Sequence, residues 1–414
     1  MLFCAVLVWI SRRIQHILPA TPPSVSRRGD SFYVEFKSDG PLPASTTKTG
    51  GLPRILILTP VKNAATHLDR FYEMLRNVSY PPSLLSLGVL DSDSDDVPDA
   101  ETLAAAAAAV DGGGGGGVPS GTLAALLAKG TRLVSERGWR RVAIARHDFG
   151  FTLAREARHG LQVQAARRAV LARSRNHLLS LALRDEDWVV WIDVDLKWYP
   201  RDIFERLLGG AGGLPLIDGD GGGGAPASDE TGPPLRRILV PNCVMKLGGG
   251  RSYDLNSWRG AAPSPGDSAT VGEVIAALEA AGKGAKRVGS GGYLALQGYA
   301  PTGARYLHHF RDRTNEVKNP NAVTMNLSVT DNKLLSAVPI WLEADAAAAG
   351  ADAVVRLDAV GGAMLLVHAE LHRHGLMFPP FNYRSRIETE GLSMMALDMG
   401  VLSWGMPFLE ILHK

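Results

Sequence analysis

A chain of 414 residues, 45 % hydrophobic and 21 % charged, has enough material for one large or two modest globular domains. Its 44 basic and 42 acidic residues leave a formal net charge of +2, so overall charge points to no nucleic-acid partner and any basic site must be local. The two cysteines, Cys4 and Cys243, argue against a structural disulfide, because Cys4 sits in an N-terminal apolar run; they leave the redox compartment open.

In chain order, Met1–Ile10 is almost wholly apolar and Arg12 and Arg13 follow it. A bilayer crossing needs about 20 residues, and a signal peptide carries its positive charge before the apolar run rather than after it. Two readings of 1–18 stand: a short buried helix, or a truncated membrane anchor. Residues 19–53 are rich in Pro, Ser, Thr and Gly and read as a stem or linker. Arg54–Pro60 then reads as a buried strand, and Ala64–Asn77 as a helix with Leu68, Phe71, Tyr72 and Leu75 on one face. Leu84–Leu90 is a second strand, which completes a βαβ unit.

Low-complexity runs at Ala104–Ala109 and Gly112–Gly117 mark 99–138 as a surface insertion around a short helix at 122–129. Val142–His147 reads as a strand and Gln162–Leu183 as a strong helix. Residues 209–232 are a glycine-rich loop, and Arg237–Val240 is a strand. Residues 261–290 read as loop with one short helix at Gly272–Ala280. The polar, aperiodic stretch 314–337 reads as an insertion, genuine or retained in the gene prediction. Ala353–Leu357 and Ala363–Val367 are strands, Glu388–Gly400 is a helix, and Phe408–Leu412 is a final strand that delivers His413.

The stretch that carries the chemistry is Trp188-Val-Val-Trp-Ile-Asp-Val-Asp195. It reads as a buried strand whose period of two places Asp193 and Asp195 on one side of its C-terminal end. In an open α/β sheet ligands bind at that end, and two carboxylates there can hold a hard cation against a diphosphate. Thr59-Pro-Val-Lys-Asn63 follows the first strand, so Thr59, Pro60, Lys62 and Asn63 are candidates for wrapping a nucleotide; an ordinary βα loop is the alternative. Asp91 and Asp93 follow the second strand and suit a ribose or base, or form a solvated turn. Arg173, Arg175 and Asn176 lie within one helix, where a guanidinium fork suits diphosphate oxygens; a basic helix face is the rival. Arg173 and His177 share a face and Arg175 lies well round from it. Tyr253, Asp254, Asn256 and Trp258 combine aromatic faces with polar edges, as a sugar ring requires. Glu388 and Glu390 open a helix, either favouring its dipole or facing a substrate. His368, His372 and His374 read as surface or packing histidines.

Taken in series, Ile57-Leu-Thr-Pro-Val-Lys-Asn-Ala64, Ser86-Leu-Gly-Val-Leu-Asp-Ser-Asp-Ser94, Ala172-Arg-Ser-Arg-Asn176, Trp191-Ile-Asp-Val-Asp195, Val240-Pro-Asn-Cys243, Tyr253-Asp-Leu-Asn-Ser-Trp258, Val360-Gly-Gly-Ala-Met-Leu-Leu366 and Ile387-Glu-Thr-Glu-Gly391 resemble the fungal Golgi α-1,6-mannosyltransferases that build the mannan backbone. The resemblance runs from about Arg54 to His413, and the poly-Gly, poly-Ala and 314–337 stretches depart from it between motifs.

The resemblance implies an α/β fold of the GT-A glycosyltransferase type, a Rossmann-like mixed sheet with helices on both faces, over residues 54–414. It implies GDP-mannose as donor, Mn²⁺ held by Asp193, Asp195 and His413, and retention of configuration. It implies an N-glycan mannan acceptor, met by Asn242, Tyr253, Asp254, Asn256 and Trp258 and positioned by Glu390. It also implies a single-pass type II Golgi anchor at the N-terminus, a lumenal catalytic domain and related subunits as partners in a mannan polymerase complex. In a lumenal domain the sequons at Asn77 and Asn326 are usable. A non-catalytic scaffold subunit, or a nucleotide-sugar-binding protein of other specificity, is the alternative.

Overall fold

The computed structural model describes residues 24–28, 31–38, 51–95, 121–151, 161–214, 235–248, 252–259, 305–307, 353–384, 386 and 388–413. The strands, in chain order, are β1 (Ser24–Arg28), β2 (Ser31–Lys37), β3 (Ile55–Val61), β4 (Leu85–Ser92), β5 (Arg141–His147), β6 (Trp188–Ile192), β7 (Ile238–Val244), β8 (Trp258–Arg259), β9 (Arg305–Tyr306), β10 (Val355–Leu357), β11 (Met364–His368) and β12 (Ser403–Leu412). The helices are α1 (Ala65–Arg76), α2 (Thr122–Arg137), α3 (Leu161–Ala182), α4 (Ile203–Ala211), α5 (Ala369–Arg373) and α6 (Glu388–Asp398).

Ten strands form one sheet in the order β1-β2-β5-β4-β3-β6-β11-β7-β12-β10, and β8 and β9 form a separate pair. β3 runs parallel to β4 and β6, β4 parallel to β5, and β12 parallel to β7, while β11 runs against both β6 and β7. It follows that β3, β4, β5, β6, β7 and β12 all end at the same edge. That edge is where an open α/β sheet binds ligands.

The strands are short apolar runs buried on both faces, as a central parallel sheet requires. Alternation splits them between two cores. Ile55, Ile57, Val190 and Ile192 face α1, α2 and α4, and Leu56, Leu58, Val189 and Trp191 face α3, α5 and α6. The observed architecture therefore matches the expected α/β class, a Rossmann-like mixed sheet with helices on both faces. Among the described residues no helix is long and apolar enough to cross a membrane. Residues 1–18, the helix expected at Gly272–Ala280, Asn326 and the stretch 314–337 lie outside the described residues.

Two expectations about organisation need correction. The stem assigned to 19–53 contains β1 and β2, which extend the sheet beyond β5, and Val34 and Phe36 are buried in the core. The insertion assigned to 99–138 contains α2, which is longer than the helix expected at 122–129. Its Leu123, Leu126, Leu133 and Val134 recur at helical spacing and pack into the same core as α1. Gly138 ends it at φ +68, and the N–H groups of Gly138 and Trp139 cap the Val134 and Leu133 carbonyls. The neighbouring alanine and glycine runs conceal this face in the sequence.

β2 is tied down by charge as well as packing. Arg141 at the start of β5 lies 3.1 Å from Glu35 of β2 and 2.6 Å from Glu186, and all three side chains are nearly fully buried. Burial alone would raise the Glu186 carboxyl, but the Arg141 charge and hydrogen bond outweigh it and hold it below the ordinary value of 4.5. A lowered folded pKa contributes stability in full above that value, and the contribution is lost as pH falls through the folded pKa.

Glu186→Gln, which leaves Arg141 short of one counter-charge in a buried site, is expected to destabilise the fold by about 3–5 kcal/mol at pH 7. Denaturant titrations should show the gap from wild type closing as pH falls well below 4.5. A constant gap across that range would refute the assignment of the stability to the ionised pair.

Candidate active site

β6 stops at Ile192, so Asp193 and Asp195 lie in the turn beyond it rather than on one face of the strand. Their convergence has a different cause from strand alternation. After the turn, the N–H of Lys197 donates to the Leu412 carbonyl at 2.7 Å, and the Leu412 N–H returns a bond to Trp198 at 2.8 Å. The segment after β6 is thereby joined to the end of β12. His413 is held on its other side by its N–H donating to the Val244 carbonyl at 3.2 Å.

One ligand atom from each of Asp193, Asp195 and His413 lies within 4.8 Å of the others. His413 Nε2 is 3.2 Å from Asp195 Oδ1, and the ring of Tyr253 stacks on the imidazole at 3.7 Å and 17°. Burial pushes Asp195 up, but its hydrogen bond and electrostatic interaction with His413 prevail and hold it below the ordinary carboxylate range. Asp193 moves the other way. Burial raises it, Arg175 opposes, and the charges of Asp195 and Asp254 add to the rise. The Asp193 side chain is still 39 % exposed, so it combines a crowded acidic setting with an open side. Two carboxylates and an imidazole are a donor set that suits Mn²⁺.

Arg175 reaches the cluster from α3. Its Nη2 is 3.5 Å from Asp193 Oδ1, and its Nη1 pairs with Glu388. Arg173 lies on the exposed side of α3, whereas Arg175 reaches Asp193, so the structure brings one of the two candidate arginines to the acids. His177, on Arg173's side, stacks against His147 at 4.5 Å. The turn at Gly361 and Gly362 admits these side chains. A Cβ at Gly362 would come within 2.6 Å of Arg175 Nη2, and one at Gly361 would collide with the Asp254 carboxylate. Asp254 is fixed there by the N–H groups of Asn256 and Ala363 at 3.1 and 3.2 Å.

A second feature lies at the ends of β3 and β4. A cavity of about 140 Å³ is lined by Pro60, Lys62, Asp93, Phe151 and Ser174, among others. Lys62 Nζ donates to the Phe151 carbonyl at 2.8 Å, and Asp93 Oδ1 accepts from the N–H groups of Phe149 and Phe151 at 2.7 and 3.1 Å. Lys62, Asp93 and Pro60 are thus gathered around one small hollow.

Several other candidates are committed elsewhere. β3 continues to Val61, so Thr59 belongs to the strand and is fully buried, while Pro60 reaches the hollow from the strand's end. Asn63 exchanges side-chain bonds with Asp95, each at 2.9 Å. Asp91 is buried and bonded to Arg146 at 2.7 Å. Asn176 uses both amide atoms on the Phe378 backbone, at 2.7 and 2.9 Å. Asn242 is fully buried between Pro407 and Ser252. Trp258 is buried and donates its indole N–H to Glu390 at 3.3 Å. Glu390 is wholly enclosed; burial pushes its carboxyl up to about 7, against the pull of Arg168 and Arg386. The last two therefore form a buried brace instead of lining an open acceptor site. His372 is a packing histidine, as read: it is buried against Phe378 and Trp191 with Nδ1 2.7 Å from the Leu376 carbonyl, and burial lowers it to about 4.

The sequence reading missed Arg168 and read Glu388 as a helix-opening or substrate-facing acid, not as the partner of two arginines. Arg168 stands two helical turns before Arg175 on the same face of α3 and lies 3.7 Å from Glu388 and 3.9 Å from Glu390. The seven-residue spacing of these arginines was the available signal.

The Anp1 family matches residues 41–210 and 235–382. The chain is 28 % identical over 371 residues to the mannan polymerase II complex anp1 subunit of Schizosaccharomyces pombe, covering 87 % of this chain and 64 % of that one. It is 25 % identical over 371 residues to the corresponding ANP1 subunit of Saccharomyces cerevisiae, of which it covers 55 %. It therefore spans less than two thirds of the length of either relative. To the mannan polymerase complex subunit mnn9 of S. pombe it is 25 % identical over 393 residues, with 94 % of this chain and 88 % of that one covered. Among solved structures, a mannosyltransferase from Pyrobaculum calidifontis in complex with GDP-Man and Mn²⁺ aligns at a TM-score of 0.37 and 13 % identity, over 99 % of this chain and 64 % of that one. With most of its length matched by one family, the chain belongs to the Anp1 family.

Proposed function

We propose that the chain is a metal-dependent, retaining mannosyltransferase that uses GDP-mannose to build an α-1,6-linked mannan backbone on N-glycans. The observation that carries this reading is the cluster of Asp193, Asp195 and His413 at the ligand-binding edge of the sheet, with the Arg175 guanidinium alongside. The relatives' identity as mannan polymerase subunits supports the substrate class and a complex of related chains as the working form. The same reading carries a Golgi setting with a lumenal catalytic domain and an N-terminal anchor.

Asp193, Asp195 and His413 would hold Mn²⁺. A divalent cation bound there supplies positive charge for a diphosphate leaving group. The chain's own part is positioning. Lys62 and Asp93, around their shared hollow, offer a donor and an acceptor to the nucleoside end of the donor. Arg175 presents a guanidinium edge beside the acids, where charge builds on the departing diphosphate, and its buried setting keeps that charge effective. Tyr253 stacks on His413, Asp254 lies beside Gly361 and Asn256 accepts from Arg168; together they would offer a ring face and polar edges to a sugar. The Glu390–Trp258 bond supports the start of α6 from beneath. A scaffold subunit would share this fold without turnover, and transfer from GDP-mannose by the purified chain separates the two readings.

GDP titrated by calorimetry in the presence of Mn²⁺ should bind, and chelation should abolish the binding. Asp193→Asn combined with Asp195→Asn should remove it as well. An unchanged Mn²⁺-dependent affinity in the double variant would rule out the metal assignment. His413→Ala should weaken Mn²⁺ binding by about 10–100-fold. The melting temperature should hold, because the backbone bonds to Val244 and Trp198 do not involve the imidazole. Full Mn²⁺ affinity in His413→Ala would remove the histidine from the ligand set.

A further inference from the structure

Arg175 has two counter-charges. Its Nη1 makes the closer contact, with Glu388 Oε1, while its Nη2 stands 3.5 Å from Asp193 Oδ1 and donates to the Gly362 carbonyl at 3.4 Å. The guanidinium lies 5.1 Å from the centre of the Phe378 ring, and the missing Cβ at Gly362 leaves it space. It is nearly fully buried, so it has little water to share its charge with.

Glu388 is held as firmly as its partner. It has φ +61, a left-handed backbone that costs a non-glycine residue about 1–3 kcal/mol and persists where the surroundings impose it. Its N–H donates to the Pro379 carbonyl at 3.1 Å, and its second oxygen lies 3.7 Å from Arg168. A buried carboxylate in a disfavoured backbone conformation, between two buried arginines, is a built feature. Propping up α6 would not require it to reach Arg175.

The two carboxylates share one guanidinium. Whichever pairs more closely with it leaves the other with less of its charge compensated. A cation at Asp193 competes with Arg175 for the same carboxylate. We propose that Glu388 is a positioning residue that sets the cation affinity of the site: by engaging Arg175 as its closer partner it keeps the guanidinium from closing on Asp193 and leaves that carboxylate free to take a metal ion. Remove the Glu388 charge, and Asp193 becomes the principal counter-charge of Arg175. This inference rests on the reading of Asp193, Asp195 and His413 as the metal site.

The test uses Mn²⁺ alone, with no nucleotide, and reads free Mn²⁺ by electron paramagnetic resonance; circular dichroism confirms folding. Glu388→Gln should weaken Mn²⁺ binding by about tenfold, Arg175→Met should tighten it, and the Arg175→Met/Glu388→Gln pair should return to wild-type affinity or better. A merely structural role for Glu388 gives no such rescue. Wild-type affinity in Glu388→Gln, or a double variant as weak as Glu388→Gln, overturns the proposal. Should Glu388→Gln fail to fold, Arg175→Met alone decides, and affinity no tighter than wild type overturns it. A wild-type chain that binds no Mn²⁺ takes the metal site and this inference down together, whereas wild-type binding with an indifferent Glu388→Gln removes this inference alone.

Discussion

Backbone hydrogen bonds between the segment after β6 and the end of β12 hold the cluster together. β6 and β12 are not neighbours, because β11 and β7 stand between them. At about 4.8 Å per strand, their ends would lie on the order of 14 Å apart in a flat sheet. The turn through Asp193 and Asp195 closes that distance by bringing Lys197 and Trp198 to Leu412, and the Val244 carbonyl fixes the next residue, His413. The parallel run of β12 beside β7 sends that strand to the correct edge. The chemistry of the site thus depends on backbone pairing that any side chains could make, and the identities of Asp193, Asp195 and His413 are spent on the cluster itself.

Two buried arginines show how the same chemistry serves different ends at opposite edges of the sheet. Arg141, at the start of β5, is enclosed by Glu35, Glu186 and the Ala182 carbonyl, and its partners are as buried as it is. It holds β2 against the sheet and has no open side. Arg175, near the strand ends, faces one enclosed carboxylate and one that remains partly open. Arginine suits both sites because its fork can meet two oxygens at once and stays charged when desolvated. What separates the enclosed ion group from the one assigned to the proposed site is the exposure of the partner.

The strands were legible because each is a short apolar run, and the order of β3, α1 and β4 follows from the change of period between them. Asp193 and Asp195 were candidates because two acids close a buried apolar run, whereas His413 entered through the family resemblance. The cause of their meeting was not legible, since strand alternation ends at Ile192. Asn176, Asn242 and Asp91 show the limit of reading polarity as function. Each is polar because it satisfies buried backbone or a buried cation, and residue type does not say whether the partner is protein or ligand. The pairing of Glu388 with Arg168 and Arg175 was not legible for a different reason: the partners lie far apart in the chain, Arg175 and Glu388 being separated by 213 positions. The α2 helix was hidden by composition, because the alanine and glycine runs before it diluted a pattern that Leu123, Leu126, Leu133 and Val134 still carry.

For the metal site proposed at Asp193, Asp195 and His413, the stack of Tyr253 on His413 has a consequence for selectivity among ions. Rings 3.7 Å apart and inclined by only 17° leave the imidazole little freedom to turn about its own bonds. An imidazole lone pair lies in the ring plane, so the direction of any bond to metal is set before the ion arrives. The rotational entropy that a loose histidine would lose on coordination is already lost in folding. An ion tolerant of bond angle gains from this readiness, whereas one that demands near-ideal octahedral geometry must find its other ligands at angles the tyrosine has already dictated.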